Sequence, residues 1–269
     1  MKILITGGNG YIAKSISLYL KDKYELISLN RDNSNLLDKD SIIKQLSDIK
    51  PDIIIHTAIE GGHRNIQYDA SIVYKNLLMF ENLLLYKDKV KFIFNIGSGA
   101  EFDMSQHIFN AKEEDIFSCI PKDYYGFSKN LISKRIQQIN NNIINFRIFG
   151  IFDENENDTR FIKNNITRFK NGLPPEIHGN KYMDFFYIKD FISILEYYII
   201  NGNHLPKDIN LCYEKKYKLT DIIKIIYGNG IEIQKLPYLF NYTGSAEKIK
   251  KINLKFIETK AAIQSILSQ

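Results

Sequence analysis

A tyrosine and a lysine stand four residues apart in the run Asp123-Tyr124-Tyr125-Gly126-Phe127-Ser128-Lys129. On a helix that spacing puts Tyr125 and Lys129 on one face, within reach of each other. A free phenol, with a pKa of about 10, carries protons poorly near neutral pH, and an adjacent ammonium stabilises the phenolate and lowers that value. Such a pair can give a proton to a carbonyl oxygen or take one from a carbinol. Ser98 follows the apolar run Lys91-Phe92-Ile93-Phe94-Asn95-Ile96 and could hydrogen-bond the same oxygen from a strand end. Tyr and Lys at this spacing also occur as surface decoration, so the chemistry needs a second constellation beside it.

The opening of the chain supplies one. Lys2-Ile3-Leu4-Ile5-Thr6 runs into Gly7-Gly8-Asn9-Gly10 and then Tyr11-Ile12-Ala13, which reads as strand, tight turn and helix. Gly7 can take backbone angles other residues avoid, Gly10 lets the backbone approach a pyrophosphate, and Ala13 lets the helix pack closely on the strand. The helix N-terminus adds unpaired N–H groups and a positive dipole end. An ordinary turn between strand and helix is the bland alternative, and the position after a first buried strand favours a dinucleotide cradle. The second strand, Tyr24 to Leu29, ends at Asn30-Arg31, where an acidic residue would hold the ribose hydroxyls of NAD. A guanidinium there favours a 2′-phosphate, so the expected cofactor is NADP(H), with an exposed surface arginine as the alternative.

The elements between these points alternate. A helix from Asp40 to about Ile49, which Asp40-Ser41 could cap, is followed by the strand Pro51 to His56 and the small-residue turn Thr57-Ala58-Ile59-Glu60-Gly61-Gly62. A long helix, Tyr68 to Tyr86, carries Asn76 in its apolar stripe; then come the strand ending near Ser98, a helix to about Ile139 and a strand from Ile143 to Ile148. The pattern predicts an α/β fold: a Rossmann-type, doubly wound parallel sheet with a small C-terminal α/β substrate lobe. Ligands of such sheets bind beyond the carboxyl ends of the strands, where Gly7 to Gly10, Ala58 to Gly62 and Ser98 all fall. The expected division is a dinucleotide-binding domain over 1–150 and a substrate lobe over 151–269, of which about 183–212 returns to the first domain.

The net charge of +5 is spread over scattered lysines, as in Lys87-Asp88-Lys89, which suits solvated faces and an anionic, phosphate-bearing substrate better than a nucleic-acid groove. No apolar run approaches a membrane span and the first strand starts at residue 2, so neither a membrane nor a nucleic-acid partner is expected, and the expected location is cytoplasmic. Cys119 and Cys212 lack ligand spacing, so no metal site or disulfide framework is expected.

The order Thr6-Gly7-Gly8-Asn9-Gly10-Tyr11-Ile12-Ala13, Ser98, then Tyr125-Gly126-Phe127-Ser128-Lys129 resembles the extended short-chain dehydrogenase/reductases, the NAD-dependent epimerase/dehydratase family, with their TGxxGxx(G/A), Ser and YxxxK elements. Met183 to Asp190 is similar to the family's (R)DFxYVxD segment. Members act mostly on nucleotide-linked sugars. The resemblance implies that Ser98 and Tyr125 bind the reacting sugar oxygen, that Tyr125 is the acid/base, and that Lys129 holds the nicotinamide ribose and tunes Tyr125. It implies cofactor contacts at Thr6, Gly7, Asn9, Gly10, Tyr11, Ile12, Asn30, Arg31, Asn35, Leu36, Ala58 and Lys129, Asn35 standing where an Asp is usual. Substrate contacts would come from Ser98, Gly99, Tyr125, His178 and Arg160.

Within the family, 4,6-dehydratases carry an acidic pair straight after the catalytic Ser/Thr, and here Gly99-Ala100 follows, with Glu101 one place late. A 4-epimerase usually has an acidic residue where this chain has Asn30-Arg31. Arg31 to Asp38 and Ala58 to Gly62 are similar to parts of GDP-fucose synthase, and Phe185 to Asp190 to short CDP-sugar reductases such as paratose synthase. The expected activity is NADPH-dependent reduction of the C4 keto group of a nucleotide-linked, 6-deoxy sugar for a surface polysaccharide. Ala100, where the fucose synthase has Cys, argues against coupled epimerisation, and Met183 replaces a frequent Arg. An epimerase or dehydrogenase on the same substrate class is one alternative; a non-catalytic NADP-sensing protein is another. Relatives pair across a two-fold axis, so a homodimer is the corresponding expectation. His178 is either an acid near the sugar or a structural residue, His56 is read as packing, and His63 and Arg64 meet a sugar or phosphate or lie in a solvated loop. Asn76, Ser128, Arg147, Arg160 and Arg168 are weaker candidates, the arginines either reaching the substrate pyrophosphate or forming surface ion pairs.

Overall fold

The computed structural model describes residues 1–62, 66, 68–139 and 142–268. The chain forms two compact units: Met1–Asp103, Glu114–Arg147 and Tyr198–Ile209 make the first, and Met104–Glu113, Ile148–Tyr197 and Asn210–Gln269 the second.

The six strands of the main sheet are β1 (Lys2–Thr6), β2 (Glu25–Leu29), β3 (Ile53–His56), β4 (Phe92–Ser98), β5 (Ile143–Ile148) and β6 (Asp208–Leu211), all within the first unit except Ile148 and the last two residues of β6. They lie in the order β2-β1-β3-β4-β5-β6. β1 pairs in parallel with β2 and β3, and β3 with β4, so Thr6 is level with both Leu29 and His56 and the strands end along one edge. Ile3, Leu4 and Ile5 are wholly buried, as are Ile53, Ile54 and Ile55. Unbroken burial of this kind is what helices on both faces of a parallel sheet produce. Helices α1 (Tyr11–Leu20), α2 (Lys39–Ile49), α3 (Ser71–Leu84) and α4 (Tyr124–Gln138) connect the strands. One core joins Leu4 and Ile54 of the sheet to Leu46, Phe80, Leu83 and Ile132 of α2, α3 and α4. The cap of α2 is Asp38, which accepts from the Ser41 N–H at 3.0 Å, and not the expected Asp40-Ser41 pair. Asp38 carries the extended backbone that an N-cap needs, whereas Asp40 already lies in the first turn.

The second unit holds helices Phe161–Lys170, Leu219–Tyr227 and Glu258–Leu267 and most of Ile188–Asn201. Ile108–Ala111 pairs in parallel with Tyr242–Gly244, and Ile151–Phe152 with Phe186–Tyr187. The buried carboxylates of the Met183 to Asp190 segment serve as internal anchors. Asp184 accepts from Lys216 and from the Gly244 N–H, the latter at 2.8 Å. Asp190 accepts from the Tyr213 hydroxyl and from the N–H groups of Ile257 and Glu258, fixing the start of the terminal helix. Among the described residues no helix is long and apolar enough to cross a membrane.

Candidate active site

β1 delivers its last residue into the glycine turn. Gly7 has φ +70°, and a Cβ there would lie 2.8 Å from the Ala58 backbone, so only glycine fits. The Gly10 N–H closes the turn onto the Gly7 carbonyl at 2.8 Å, and the Gly8 N–H donates to the Leu29 carbonyl at 2.8 Å. α1 then starts at Tyr11 with Gly10 as its N-cap, and no side chain caps it. Ala13 is fully buried beneath the turn. Thr6 ties this turn to the loop after β3: its hydroxyl pairs with His56 Nδ1 at 2.9 Å and accepts from the Ala58 N–H at 3.3 Å. Burial, with Lys129 adding to it, pushes the His56 pKa down to about 3, so His56 is a neutral packing residue.

Beyond β2, Asn30 and Asn33 fold the chain back on itself, the Asn30 N–H donating to Asn33 Oδ1 at 2.8 Å. The Asn30 amide reaches Asn9 Oδ1 at 3.4 Å. Arg31 projects an exposed guanidinium whose Nη2 lies 2.8 Å from Glu60 Oε1. Asn35 Oδ1 accepts from the Leu37 N–H at 3.1 Å, and the carbonyl of buried Leu36 accepts from Asn82 at 2.9 Å. A glycine turn with no bulk at its crest, a helix N-terminus without a side-chain cap and a guanidinium two residues past β2 fit a dinucleotide pyrophosphate with its ribose end.

The chemical residues gather on the same edge. Asp123 accepts from the Gly126 N–H at 2.7 Å, which starts α4 at Tyr124 and puts Tyr125 in its first turn. Lys129 is buried one turn on, and its ammonium donates to the Ile96 carbonyl at 2.6 Å, two residues before Ser98. A Cβ on Gly126 would sit 2.5 Å from the Ala100 carbonyl, so α4 packs directly on the turn that follows Ser98. Burial lowers the Lys129 pKa from 10.5 to about 8, with the Glu101 carboxylate pulling the other way. Ser98 closes β4 with a capping box: its hydroxyl accepts from the Ala100 N–H at 3.1 Å and its N–H donates to Glu101 Oε1 at 2.8 Å. Glu101 is fully buried against the Arg147 guanidinium, and burial holds its pKa above the usual carboxylate range.

The turn after β3 braces Tyr125. Gly61 and Gly62 have φ of +93° and +82°, and a Cβ on Gly62 would come within 2.9 Å of the Tyr125 ring. Asn76, wholly buried on α3, grips the same turn: it accepts from the Glu60 N–H at 2.8 Å and donates to the Glu60 carbonyl at 3.0 Å. The Asn76 amide also reaches Ser128 Oγ at 2.9 Å, and that hydroxyl donates to the Tyr125 carbonyl at 2.8 Å. Asn76 and Ser128 therefore tie the turn after β3 to the backbone of Tyr125.

The remaining candidate residues have partners of their own. Arg147 is neither a pyrophosphate ligand nor a surface ion pair. It is completely buried, bonded to Glu101 and, at 2.9 Å, to Asp208, because its partners come from turns and strands remote in sequence. Arg160 and His178 belong to the second unit. Arg160 is the N-cap of helix Phe161–Lys170, and the exposed His178 ring lies 3.2 Å from Glu176. Arg168 forms the surface ion pair, 3.2 Å from the same carboxylate. His63 and Arg64 lie outside the described residues. Sequence reasoning missed Glu60 as the partner of Arg31 and Glu101 as the anchor of Ser98; an acidic residue in a strand-end turn is the one signal that marks either.

The sequence model of the NAD dependent epimerase/dehydratase family matches residues 3–212. GDP-L-colitose synthase of Yersinia pseudotuberculosis is 29% identical over 251 residues, covering 84% of this chain and 81% of that protein. Among solved structures, GDP-mannoheptose C4 reductase from Campylobacter jejuni with NADP bound superposes with a TM-score of 0.79 at 18% identity, covering 99% of this chain and 97% of that one. The Bordetella bronchiseptica enzyme WbmG in complex with NAD does so with a TM-score of 0.81 at 15% identity, covering 100% and 93%. The matched stretch takes in the glycine turn, Ser98, Tyr125 and Lys129, and the chain belongs to the NAD-dependent epimerase/dehydratase family.

Proposed function

We propose that the protein reduces the C4 keto group of a nucleotide-linked 6-deoxy sugar with NADPH. The observation that carries this reading is the seating of α4, the helix of Tyr125 and buried Lys129, on the end of β4 and the turn that follows Ser98, on the sheet edge that also bears the glycine cradle. The bound dinucleotide would supply a hydride to C4. Tyr125 would deliver a proton to O4 while Ser98 donates a hydrogen bond to that oxygen. The Lys129 ammonium, held by the Ile96 carbonyl, lowers the free energy of the phenolate left behind. Thr6, Gly7, Asn9, Gly10, Tyr11 and Ile12 would hold the pyrophosphate side, with Arg31 at the ribose 2′-phosphate and Asn35, Leu36 and Ala58 around adenosine.

Reduction is favoured over dehydration because elimination of water needs a further acid and base beside the catalytic Ser. Gly99 and Ala100 cannot act as either, and Glu101 is wholly buried and committed to Arg147 and the Ser98 N–H. The names of GDP-L-colitose synthase and of the C4 reductase support a nucleotide-sugar substrate. The test is NADPH consumption with a panel of GDP-, dTDP-, CDP- and UDP-linked 4-keto-6-deoxy sugars, with NADH run in parallel. Turnover with one nucleotide is expected; no oxidation by protein that binds NADPH would overturn the reductase reading.

A further inference from the structure

β2 and β3 flank β1 in the sheet, and beyond their carboxyl ends two opposite charges meet: Arg31, which follows β2, and Glu60, which follows β3, lie 2.8 Å apart. Glu60 is not a drifting surface residue. Buried Asn76 bonds both its N–H and its carbonyl, so the backbone that carries the carboxylate is fixed. A guanidinium selects a 2′-phosphate; a carboxylate in the same place accepts from unphosphorylated ribose hydroxyls and repels the phosphate. This chain has both, paired with each other. An exposed pair of this kind is weak, so an incoming phosphate dianion can displace it, but against the retained charge of Glu60.

We propose that Glu60 is a specificity-determining residue for the dinucleotide: its carboxylate competes with the 2′-phosphate for Arg31 and serves the bare ribose in its place, so that the protein accepts both NADPH and NADH. The inference rests on the reading that Arg31 meets the ribose end of the cofactor. Equilibrium binding of NADPH and NADH, followed by nucleotide fluorescence without substrate, tests it; the chain has no Trp to interfere. The two dissociation constants of the unmodified protein are expected to lie within about tenfold of each other. Glu60→Gln should tighten NADPH by about five- to tenfold and weaken NADH by about threefold, with melting temperature unchanged because the Asn76 clamp acts on backbone atoms. Arg31→Ala should weaken NADPH by about tenfold and leave NADH within about twofold, and both effects should shrink in high salt. If Arg31→Ala weakens NADPH but Glu60→Gln leaves the ratio of the two constants unchanged, the role of Glu60 is refuted while the placing of Arg31 stands. If Arg31→Ala changes neither constant, the placing of Arg31 fails and the inference with it.

Discussion

Lys129 is charged at neutral pH in a place that disfavours charge. Its pKa lies near 8 in the folded chain against 10.5 when exposed, so between those values the unfolded chain binds more protons. The destabilisation is complete below about pH 8 and is relieved as pH rises from 8 toward 10.5. In the proposed mechanism activity should run the opposite way, because the ammonium assigned there to favour the Tyr125 phenolate disappears over the same interval. A pH–rate profile is therefore expected to fall above pH 8 while the contribution of this group to stability rises. Lys129→Met should lower kcat by at least about 100-fold yet raise the melting temperature at pH 7 by about 2–4 °C, since removing a buried charge outweighs the lost bond to Ile96. Thermal melts followed by circular dichroism check this, and a lower melting temperature would refute it. The placing of Tyr125 and Lys129 on one helix and of Ser98 at a strand end was legible because a four-residue spacing and an apolar run are local signals. The placing of Arg147 was not, since its partner Asp208 lies 61 positions away and no local pattern announces that pairing.

At the level of elements, the turn after β3 seats the first turn of α4, where Tyr125 lies. Gly61 and Gly62 hold left-handed backbone angles in contact with the Tyr125 ring, so Gly62→Ala adds both backbone strain and a clash. A loss of about 1–2 kcal/mol is expected in urea unfolding, with kcat falling by about 10- to 100-fold as the ring shifts. Asn76→Ala removes two bonds to Glu60 and one to Ser128 inside the protein. It should lower stability by about 2–4 kcal/mol, with a larger loss in kcat than in substrate KM if the clamp positions Tyr125. The long amphipathic helices and buried strands were legible because their period spans many residues. The pair Ile108–Ala111 and Tyr242–Gly244 was not, being short strands joined across a long stretch of chain. The Asp38 cap was missed by two positions for a related reason: several acidic and hydroxyl residues precede α2, and only backbone geometry chooses among them.

Across the whole molecule, the first unit is assembled from three separated segments of chain. The last of them contributes Asp208 and Ile209, the start of β6, and with Asp208 the counter-charge to a guanidinium with no access to water. It also receives the Asn145 N–H at the Lys207 carbonyl, 2.7 Å, and the Lys91 ammonium at the Ile199 carbonyl, 3.0 Å. Arg147→Ala should destabilise by about 3–5 kcal/mol, because Glu101 and Asp208 are left as buried charges facing each other. A chain cut after Tyr197 keeps every residue of the proposed catalytic group but should fail to give a cooperative urea transition. Synthesis therefore imposes an order in time. At about 5–20 residues per second, the ribosome finishes Ser98, Tyr125 and Lys129 early and then needs roughly 3–12 s to travel from Arg147 to Asp208. Throughout that interval the nascent chain holds a guanidinium with one of its two carboxylate partners unmade, so the core beneath β4 and β5 waits for a strand at the far edge of the sheet.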